Sequence, residues 1–460
     1  MKVKKLVCIP MLMLALTLPG CTPPDDIIID DEVEVIEENA TPIKMWMMDF
    51  EEWENKINIS QRKLFNKNVN DGIQLQQTYI NKNDFDDLIR SSYESKNVPD
   101  IYMVSYGNLY KEVKAGRAIA LNDYLSDSVW SDLTDIAKEA ITYKDSNGKS
   151  NYYGFPLVFE PSTVISYSKS MLLEYGKTDK IPSKWSDFLS LCSTIKTNLK
   201  SANKKSIYPF GVPTGVAAAW GTWGMQVSAT GGLAISDDWS TSRISEPGYK
   251  DLANLWKDLY LNGYVPLSSG EYTESVFNVG DGKAVMTTCG SWSISTIMNQ
   301  YKNKIDDFGF AVMPTFDGNQ DKVTATNGGW CYVISSECKN VEKAIEVIKF
   351  LTAEDTAQTV DYFKRAYYSK SSPRKSVQNI LANESKNQNE VPQEWVDVID
   401  QVASKAILEP IYDWNISVAV EGLIEEAAMG QDIDASIKKC DDQVKNIIIN
   451  NNLANTNPRL

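Results

Sequence analysis

Apolar residues cluster along this chain in two patterns, as short continuous runs and as longer stretches with helical spacing. The run 43–48 is apolar at every position but one, and a further short, mostly apolar run occurs at 100–105, while residues 73–79 are a second strand candidate. Such a run is typical of a strand that is covered on both faces, as in a parallel sheet. Residues 51–70 between the first two runs predict a helix. The alternation of strands and helices therefore predicts an α/β fold.

Three further stretches place their apolar residues on one face of a helix. They lie at residues 185–199, 249–260 and 341–351, and the spacing predicts amphipathic helices that pack on the sheets. After the third stretch, Thr352 and Asp355 have the spacing of a capping box that would open the next helix.

The N-terminus has the features of an export signal. Lysines near Met1 precede an apolar run at residues 6–18, which is well short of the ~20 residues that span a bilayer. The ending Leu18-Pro19-Gly20-Cys21 resembles the lipobox of bacterial lipoproteins, which implies that residues 1–20 are a lipoprotein signal peptide and that Cys21 carries a diacylglycerol. Two acyl chains anchor a protein stably. An ordinary signal peptide with an incidental cysteine is the alternative.

An acidic segment follows Cys21. Residues 22–43 contain eight carboxylates and neither Lys nor Arg. Charge repulsion extends such a segment, and its composition does not build a core. We expect residues 21–42 to be a lipid-anchored linker that holds the globular body at the outer face of the bacterial cytoplasmic membrane.

Composition excludes several classes of function for the body. The formal net charge of −15 argues against a nucleic-acid partner. The chain contains no histidine, which excludes Ser-His-Asp and Cys-His catalysis and His-ligated zinc. The odd number of cysteines after Cys21 and the lack of a CxxC pair do not indicate a disulfide framework or a metal site. We expect no cofactor, no metal and no catalysis.

Several segments resemble, in order along the chain, the carbohydrate-binding lipoproteins of ABC importers of the maltodextrin-binding type. The matching segments are Pro99–Tyr102, Lys114–Tyr124, Tyr153–Pro156, Tyr167–Lys169, Phe277–Met286, Gly290–Trp292 and Asn327–Trp330. Ser168 stands where the family has Asn. Each match is weak alone, and their order makes the set more specific.

The resemblance implies a two-lobe, periplasmic-binding-protein-like α/β fold with an interlobe cleft and a multi-strand hinge. The N-terminal lobe would be 43–158 plus 314–366, and the C-terminal lobe 159–313 plus 367–460. Ligand would bind in the cleft, the lobes would close around it, and an ABC permease would receive it from a monomeric protein.

A sugar site needs flat aromatic surfaces and hydroxyl partners. We choose the aromatic candidates because they match family positions or lie in loops. We choose most of the polar candidates because they follow the carboxyl ends of strands, where α/β sheets bind ligands. For Trp46 and Trp330 a core position is the alternative, and for Glu160 a solvated hinge position. The candidate ligand-binding residues are Trp46, Asp49, Ser105, Tyr106, Asn108, Glu160, Trp220, Trp223, Trp292, Trp330, Asp413 and Trp414.

Three functions remain open at this point. Capture of a neutral sugar or oligosaccharide for import follows from the resemblance. A charged solute is the second, either a polyamine, which acidic and aromatic residues would suit, or a sugar phosphate, for which the candidate segments supply no basic cluster. A surface glycosidase that uses two carboxylates is the third, although 61 acidic residues make any such pair uninformative.

Overall fold

The computed structural model describes residues 39–460 except 69–71, 83, 146, 213–218, 268–271 and 386–390. The expected signal peptide, Cys21 and most of the acidic linker lie outside the described residues, so their roles stay predictions. Within the described part of the chain, no helix combines the length and apolar character needed to cross a bilayer.

The first sheet has six strands and contains the three strands that the sequence predicts. Parallel strands β1, β2 and β3 lie side by side, and β11 pairs antiparallel with β3 and with β6. The short strand β12 pairs with the start of β11. Its strands are β1 (Thr41–Asp49), β2 (Ile73–Asn81), β3 (Ile101–Ser105), β6 (Phe155–Pro161), β11 (Thr326–Ile334) and β12 (Ile407–Leu408).

The second sheet has four strands in the order β10-β7-β9-β8. Strand β7 is antiparallel to both neighbours, and β8 is parallel to β9. A separate hairpin joins β4 (Thr142–Lys144) and β5 (Ser150–Tyr152). The strands of the second sheet are β7 (Val164–Ser168), β8 (Tyr208–Gly211), β9 (Ala284–Cys289) and β10 (Phe308–Ala311).

Helices connect the strands and cover both sheets. The first half of the chain has α1 (Glu52–Asn68), α2 (Phe85–Ser95), α3 (Tyr106–Lys114), α4 (Asp127–Asp132), α5 (Asp135–Ile141), α6 (Lys169–Met171), α7 (Trp185–Ser201) and α8 (Ala219–Thr230). The second half has α9 (Pro247–Leu261), α10 (Phe277–Gly280), α11 (Ser293–Gln300), α12 (Val341–Ile348), α13 (Thr356–Arg365), α14 (Lys375–Ser385), α15 (Gln393–Ala403), α16 (Trp414–Ala428) and α17 (Ile433–Asn450).

The expected start of α13 is wrong by three residues. A wider helical turn at Lys349–Ala353 continues α12, so Thr352 is still helical, and within the described part of the chain its buried hydroxyl has no hydrogen-bond partner. Asp355 is the residue that caps α13, because its carboxylate accepts a hydrogen bond from the Gln358 backbone N–H at 3.1 Å.

Two clusters of buried apolar side chains form the core. The first lies around the first sheet, and the second lies between one face of the second sheet and α7, α9 and α16. The opposite face of the second sheet joins the first cluster, where Phe310 packs on Trp395 of α15 with ring centroids 5.2 Å apart. Packing therefore crosses between the sheets, and the expected lobe boundaries stay a prediction.

The chain crosses between the sheets through short, bonded segments. Ser162 and Thr163 link β6 to β7, and the buried Ser162 hydroxyl lies 3.0 Å from that of Thr326 at the start of β11. Ser371 exchanges two backbone hydrogen bonds of 2.8 Å with Phe159 on β6. These crossings form a narrow base on which a cleft between the sheets can close.

The C-terminal tail also contacts both sides of this base. On the side of the second sheet, the Asn455 N–H and the Asn457 amide donate to the carbonyls of Asp238 and Asp237. Two residues later, the Arg459 guanidinium donates to the Glu409 carbonyl beside the first sheet, at 2.9 Å.

Alanine substitutions at two helical glycines test this packing, and we expect them to change the stability in opposite directions. A Cβ on Gly224 of α8 would lie 2.2 Å from the Thr324 carbonyl oxygen, whereas a Cβ on Gly422 of α16 would meet nothing within 4 Å. We expect Gly224→Ala to destabilise the protein by about 1–3 kcal/mol through overpacking. The matched Gly422→Ala variant should be neutral or stabilising by about 0.5–1 kcal/mol. Urea denaturation measures both, and equal effects would contradict this packing.

Candidate functional site

Aromatic side chains meet where the strands of the first sheet end. Strand β1 ends at Asp49, and the next residue, Phe50, packs on Trp330 of β11 with ring centroids 5.0 Å apart. Trp53 is the second residue of α1, and its buried indole N–H has no hydrogen-bond partner among the residues that the structure describes. The carboxyl ends of parallel strands are the usual binding edge of an α/β sheet, so this edge is the first wall of the candidate site.

A buried ion triad lies directly beneath these rings. The Lys370 ammonium lies 2.9 Å from a carboxylate oxygen of Glu54 and 2.9 Å from one of Glu160. The second oxygen of Glu160 accepts a hydrogen bond of 3.3 Å from the Trp330 indole. Glu160 therefore fixes the orientation of Trp330, and its own oxygens are both occupied.

Lys370 stays charged despite its burial. Removal from water lowers the pKa of its ammonium, but Glu160 and Glu54 together outweigh that effect, and the pKa is raised above its ordinary value. The ammonium also lies 5.7 Å from the Phe50 ring centroid and 5.9 Å from that of Trp53, within the range of cation–π attraction.

Glu409 is a further carboxylate at the same edge. It follows β12, and its carboxylate lies over Gly328 of β11 and near Gly107 of α3. Burial first, and the nearby Glu160 second, raise the pKa of Glu409 to about 7, while Arg459 acts in the opposite direction. Glu409 is therefore divided between its neutral and charged forms near neutral pH.

Three tryptophans form the second wall, beside the second sheet. Trp220 is the second residue of α8 and Trp414 is the first of α16, with ring centroids 5.7 Å apart and exposures of 39% and 37%. Trp223 is buried behind them, with its ring centroid 6.4 Å from that of Trp220 and 6.1 Å from that of Trp414. The hydroxyl of Thr163, in the β6–β7 crossing, donates to the Trp220 carbonyl at 3.4 Å, which places this wall beside the hinge.

A buried polar network supports the second wall. The Trp223 indole donates to the Ser417 hydroxyl at 3.3 Å, and the Thr222 hydroxyl donates to the Glu421 carboxyl group at 3.0 Å. Burial raises the pKa of Glu421 to about 8, even though the Thr222 hydrogen bond acts to lower it. Glu421 is consequently mostly neutral at pH 7.

Trp292 is a further tryptophan at the border of the cleft, and it packs on the turn at Tyr272–Glu274. Trp292 packs edge-on against Tyr272 with ring centroids 5.5 Å apart, and its indole donates to the Thr273 carbonyl at 3.4 Å. The Thr273 hydroxyl accepts a hydrogen bond of 3.0 Å from Lys82, which follows β2 of the first sheet. This contact joins the two sides across the cleft.

The structure brings some of the candidate residues together and places others elsewhere. Glu160 and Trp330 share the first wall, Trp220, Trp223 and Trp414 share the second, and Trp292 borders the cleft. Asp49 and Ser105 lie at strand ends of the first wall, where Asp49 accepts a hydrogen bond of 2.5 Å from Asn55. The ligand-binding roles of all of these residues stay predictions.

Four candidates have other surroundings. Trp46 lies within β1, partly buried against the first core, rather than at the strand end. Tyr106 is fully buried and its hydroxyl donates to the Val158 carbonyl, while the Asn108 amide bonds Asp86 of α2. Asp413 caps α16 by accepting from the Asn415 N–H at 2.9 Å, and it also accepts from the Asn451 amide at 2.6 Å.

Sequence reasoning missed Phe50, Trp53, Lys370 and Glu409. Phe50 and Trp53 were within reach, because they directly follow the strand end that selected Asp49. Lys370 is 316 residues from Glu54, its partner in the triad, and the two-residue strand before Glu409 has no detectable periodicity.

Comparisons with known proteins agree with this architecture. The family model described as bacterial extracellular solute-binding protein matches residues 61–393. Since this match covers more than half of the chain, the protein belongs to that family, which confirms the resemblance seen in its segments.

Two relatives illustrate the sequence similarity. The chain is 24% identical over 280 residues to a maltooligosaccharide ABC transporter solute-binding lipoprotein of Streptococcus pneumoniae, over 58% of this chain and 59% of the relative. It is 23% identical over 282 residues to a maltotriose-binding protein of Pyrococcus abyssi, over 59% of this chain and 54% of the relative. The match thus spans less than two thirds of the length of either relative.

Solved structures share the whole fold. A cyclic alpha-maltosyl-1,6-maltose binding protein of Arthrobacter globiformis superposes with a TM-score of 0.71 at 15% identity, over 89% of this chain and all of that one. A Thermotoga lettingae ABC transporter solute-binding protein bound with alpha-D-tagatose gives a TM-score of 0.73 at 19% identity, over 89% and 100%. The likeness confirms the expected two-lobe α/β fold.

Replacement of Lys370 tests the ion triad. We expect Lys370→Met to lower the free energy of unfolding by about 3–5 kcal/mol, because it leaves two buried carboxylates without their counter-charge. Lys438→Met is the control, because Lys438 pairs with Asp442 in an exposed ion pair on α17 that contributes about 0–1 kcal/mol. Urea denaturation of both variants measures the difference, and a loss no larger than that of the control would contradict the triad.

Substitution of Glu421 tests the buried polar network under the second wall. A carboxyl group whose pKa rises on folding adds stability that is full below about pH 4.5 and is lost as the pH rises through about 8. We expect Glu421→Gln to reduce the loss of stability between pH 5 and pH 8, measured by urea denaturation. Glu425→Gln, an exposed position on the same helix whose charge makes only the smallest contribution to the pKa of Glu421, should reduce the loss far less, and the same result for both variants would contradict the assignment.

Proposed function

We propose that this protein captures a neutral sugar or oligosaccharide in the cleft between its two sheets and performs no chemistry on it. The observation that carries the proposal is a pair of aromatic walls, one beside each sheet. Trp220 and Trp414 offer exposed aromatic planes on one side, and Phe50, Trp330 and a set of carboxylates occupy the other. Aromatic planes suit the C–H faces of a sugar ring, and carboxylates accept hydrogen bonds from its hydroxyls.

The relatives support a sugar ligand. Their names state maltooligosaccharide and maltotriose as ligands, and we extend this class to the present chain as part of the proposal. The spacing of the two exposed indoles, 5.7 Å between ring centroids, also suits a ligand that covers both rings at once.

The same proposal includes location and partners. The export signal and Cys21 would tether the protein outside the cytoplasmic membrane, and the acidic linker would let it reach a permease of an ABC importer. Closure of the lobes around the sugar would present the liganded form to that permease. The lipid anchor, the permease and a monomeric state are parts of the proposal.

The charges at the site favour a sugar over the other two functions. A sugar phosphate would need a free cation, but the Lys370 ammonium is already bonded to two carboxylates. A glycosidase would need two carboxyl groups that are both free to act on the substrate, and of the pair at this wall Glu160 has both oxygens engaged by protein donors. A polyamine remains the second candidate, because no described residue bonds a counter-charge to the Glu409 carboxylate, although Arg459 lies close enough to attract it.

A thermal-shift panel tests the ligand class. Maltotriose, maltose and spermidine are added separately to the purified protein, and a sugar should raise the melting temperature in proportion to the logarithm of its concentration. Chromatography of the same mixtures should find the sugar intact. Stabilisation by spermidine alone would favour the polyamine, and cleavage products would overturn the binding function.

Trp220 and Trp414 should carry much of the affinity for sugar. We expect Trp220→Ala and Trp414→Ala each to weaken maltooligosaccharide binding by about 10- to 100-fold, because removal of one aromatic platform costs roughly 1.5–3 kcal/mol. Isothermal titration calorimetry measures the dissociation constants.

Tyr124 provides the matched control for these variants. Its exposure of 38% equals that of the two tryptophans, but it lies in the connection before α4, on the side of the first sheet. Tyr124→Ala should leave the affinity unchanged. A loss of affinity equal to that of the tryptophan variants, or unchanged binding by both tryptophan variants, would contradict the second wall.

A further inference from the structure

Glu409 differs from the other carboxylates at the first wall because its oxygens have no donor among the described residues. Glu54 and Glu160 are bonded to Lys370, and Glu54 also accepts a hydrogen bond from the Tyr362 hydroxyl. Glu409 is 8% exposed, so water reaches little of it. A carboxylate that is nine-tenths buried and unpartnered is costly unless another group supplies the missing hydrogen bonds.

Glycines make the space that Glu409 occupies. A Cβ on Gly328 would lie 2.3 Å from one carboxylate oxygen, and a Cβ on Gly107 would lie 3.7 Å from the other. Gly328 pairs with Glu160 across β11 and β6. The Glu409 carboxylate therefore lies beside the start of α3 and the β6–β11 pairing at Glu160.

The charged and titratable groups around Glu409 come from four elements. Glu160 on β6 repels its charge, and Tyr272 faces it from the turn beside Trp292. Arg459 attracts it, but the Arg459 guanidinium donates to the Glu409 carbonyl rather than to its carboxylate. On α3, the Tyr106 hydroxyl is turned away and donates to Val158. No neighbour thus satisfies the carboxylate in this part of the described structure.

We propose that Glu409 is a ligand-contacting residue at the base of the cleft, which accepts hydroxyl hydrogen bonds from the bound sugar as a carboxylate and thereby couples sugar binding to the release of one proton. This inference rests on the proposed function and adds a specificity-determining residue to it. The neutral carboxylic acid gives its proton to solvent, and the sugar hydroxyls replace that proton as the partners of the two oxygens.

The pKa of Glu409 fixes the direction and the size of the pH dependence of sugar binding. Since the pKa of Glu409 is about 7 without ligand, hydroxyl donors that favour the charged form lower it on binding. Near pH 7 about half a proton is released per sugar bound, and the affinity should be about tenfold weaker at pH 6 than at pH 8. A group that bound sugar as the neutral acid would show the opposite dependence on pH.

Calorimetry with maltotriose tests the inference. Titrations of the purified protein in phosphate and in Tris at pH 6, 7 and 8 report the proton exchange, because the two buffers differ in ionisation enthalpy. We expect proton release at pH 7 that falls toward zero at pH 8, together with the gain in affinity. Heats that do not depend on the buffer, or proton uptake, would overturn the inference.

Two variants assign the proton to Glu409. Glu409→Gln should abolish both the buffer dependence and the pH dependence of the affinity, while circular dichroism confirms that it folds. Glu421→Gln is the matched control, because Glu421 is also a buried carboxyl group with a raised pKa but lies beneath the second wall. It should keep both dependences, and proton release that survives in Glu409→Gln or is lost in Glu421→Gln would contradict the assignment.

The outcomes separate this inference from the proposed function. Binding of maltotriose without proton exchange would leave sugar capture intact and remove the role of Glu409. Absence of binding by every saccharide in the thermal-shift panel would overturn both. If Glu409→Gln does not fold, the titrations of the unmodified protein in the two buffers still decide the matter, because proton release is measured without any substitution.

Discussion

The Lys370 ammonium and its two carboxylates determine how the base of the cleft is built. One buried cation joins α1 through Glu54, β6 through Glu160, and the chain segment that follows α13. Removal of these charges from water is costly, and the triad is stable only because each ion keeps partners of opposite charge and further hydrogen bonds. Since Glu160 also holds the Trp330 indole, the position of the first aromatic wall depends on the same cation.

The two walls of the cleft consequently have different electrostatics. The first is charged and its side chains are fixed by ion pairs. The second is neutral, because Trp220 and Trp414 rest on Trp223 and on a network in which Glu421 is mostly protonated. A neutral sugar has both kinds of surface, apolar C–H faces and hydroxyl edges, and it fits between walls of this kind better than a ligand of uniform charge does.

The sequence predicted the α/β elements because apolar spacing reports burial directly. Strands β1, β2 and β3 and the helices α7, α9 and α12 appear where their periodicity placed them. Site residues were harder, since periodicity says nothing of contacts between distant segments such as Glu54 and Lys370. The strand-end rule also selected Tyr106 and Asn108, whose roles stay predictions. Because α3 starts directly after β3, the Tyr106 hydroxyl bonds Val158 and the Asn108 amide bonds Asp86 of α2, surroundings that the rule did not foresee.

The segment between β12 and α16 connects the two walls, and it therefore links ligand binding at the walls to closure of the lobes. Glu409 lies at the first wall, and Trp414, five residues later, is the exposed indole that opens α16 in the second. A hinge motion between the lobes would change the distance between them, because the intervening residues run from the first core to the second. A ligand that contacts both gains its full binding energy in a single lobe arrangement, so its preference for that arrangement is what shifts the open–closed equilibrium. The same few residues that recognise the sugar would therefore also report its presence to the rest of the molecule.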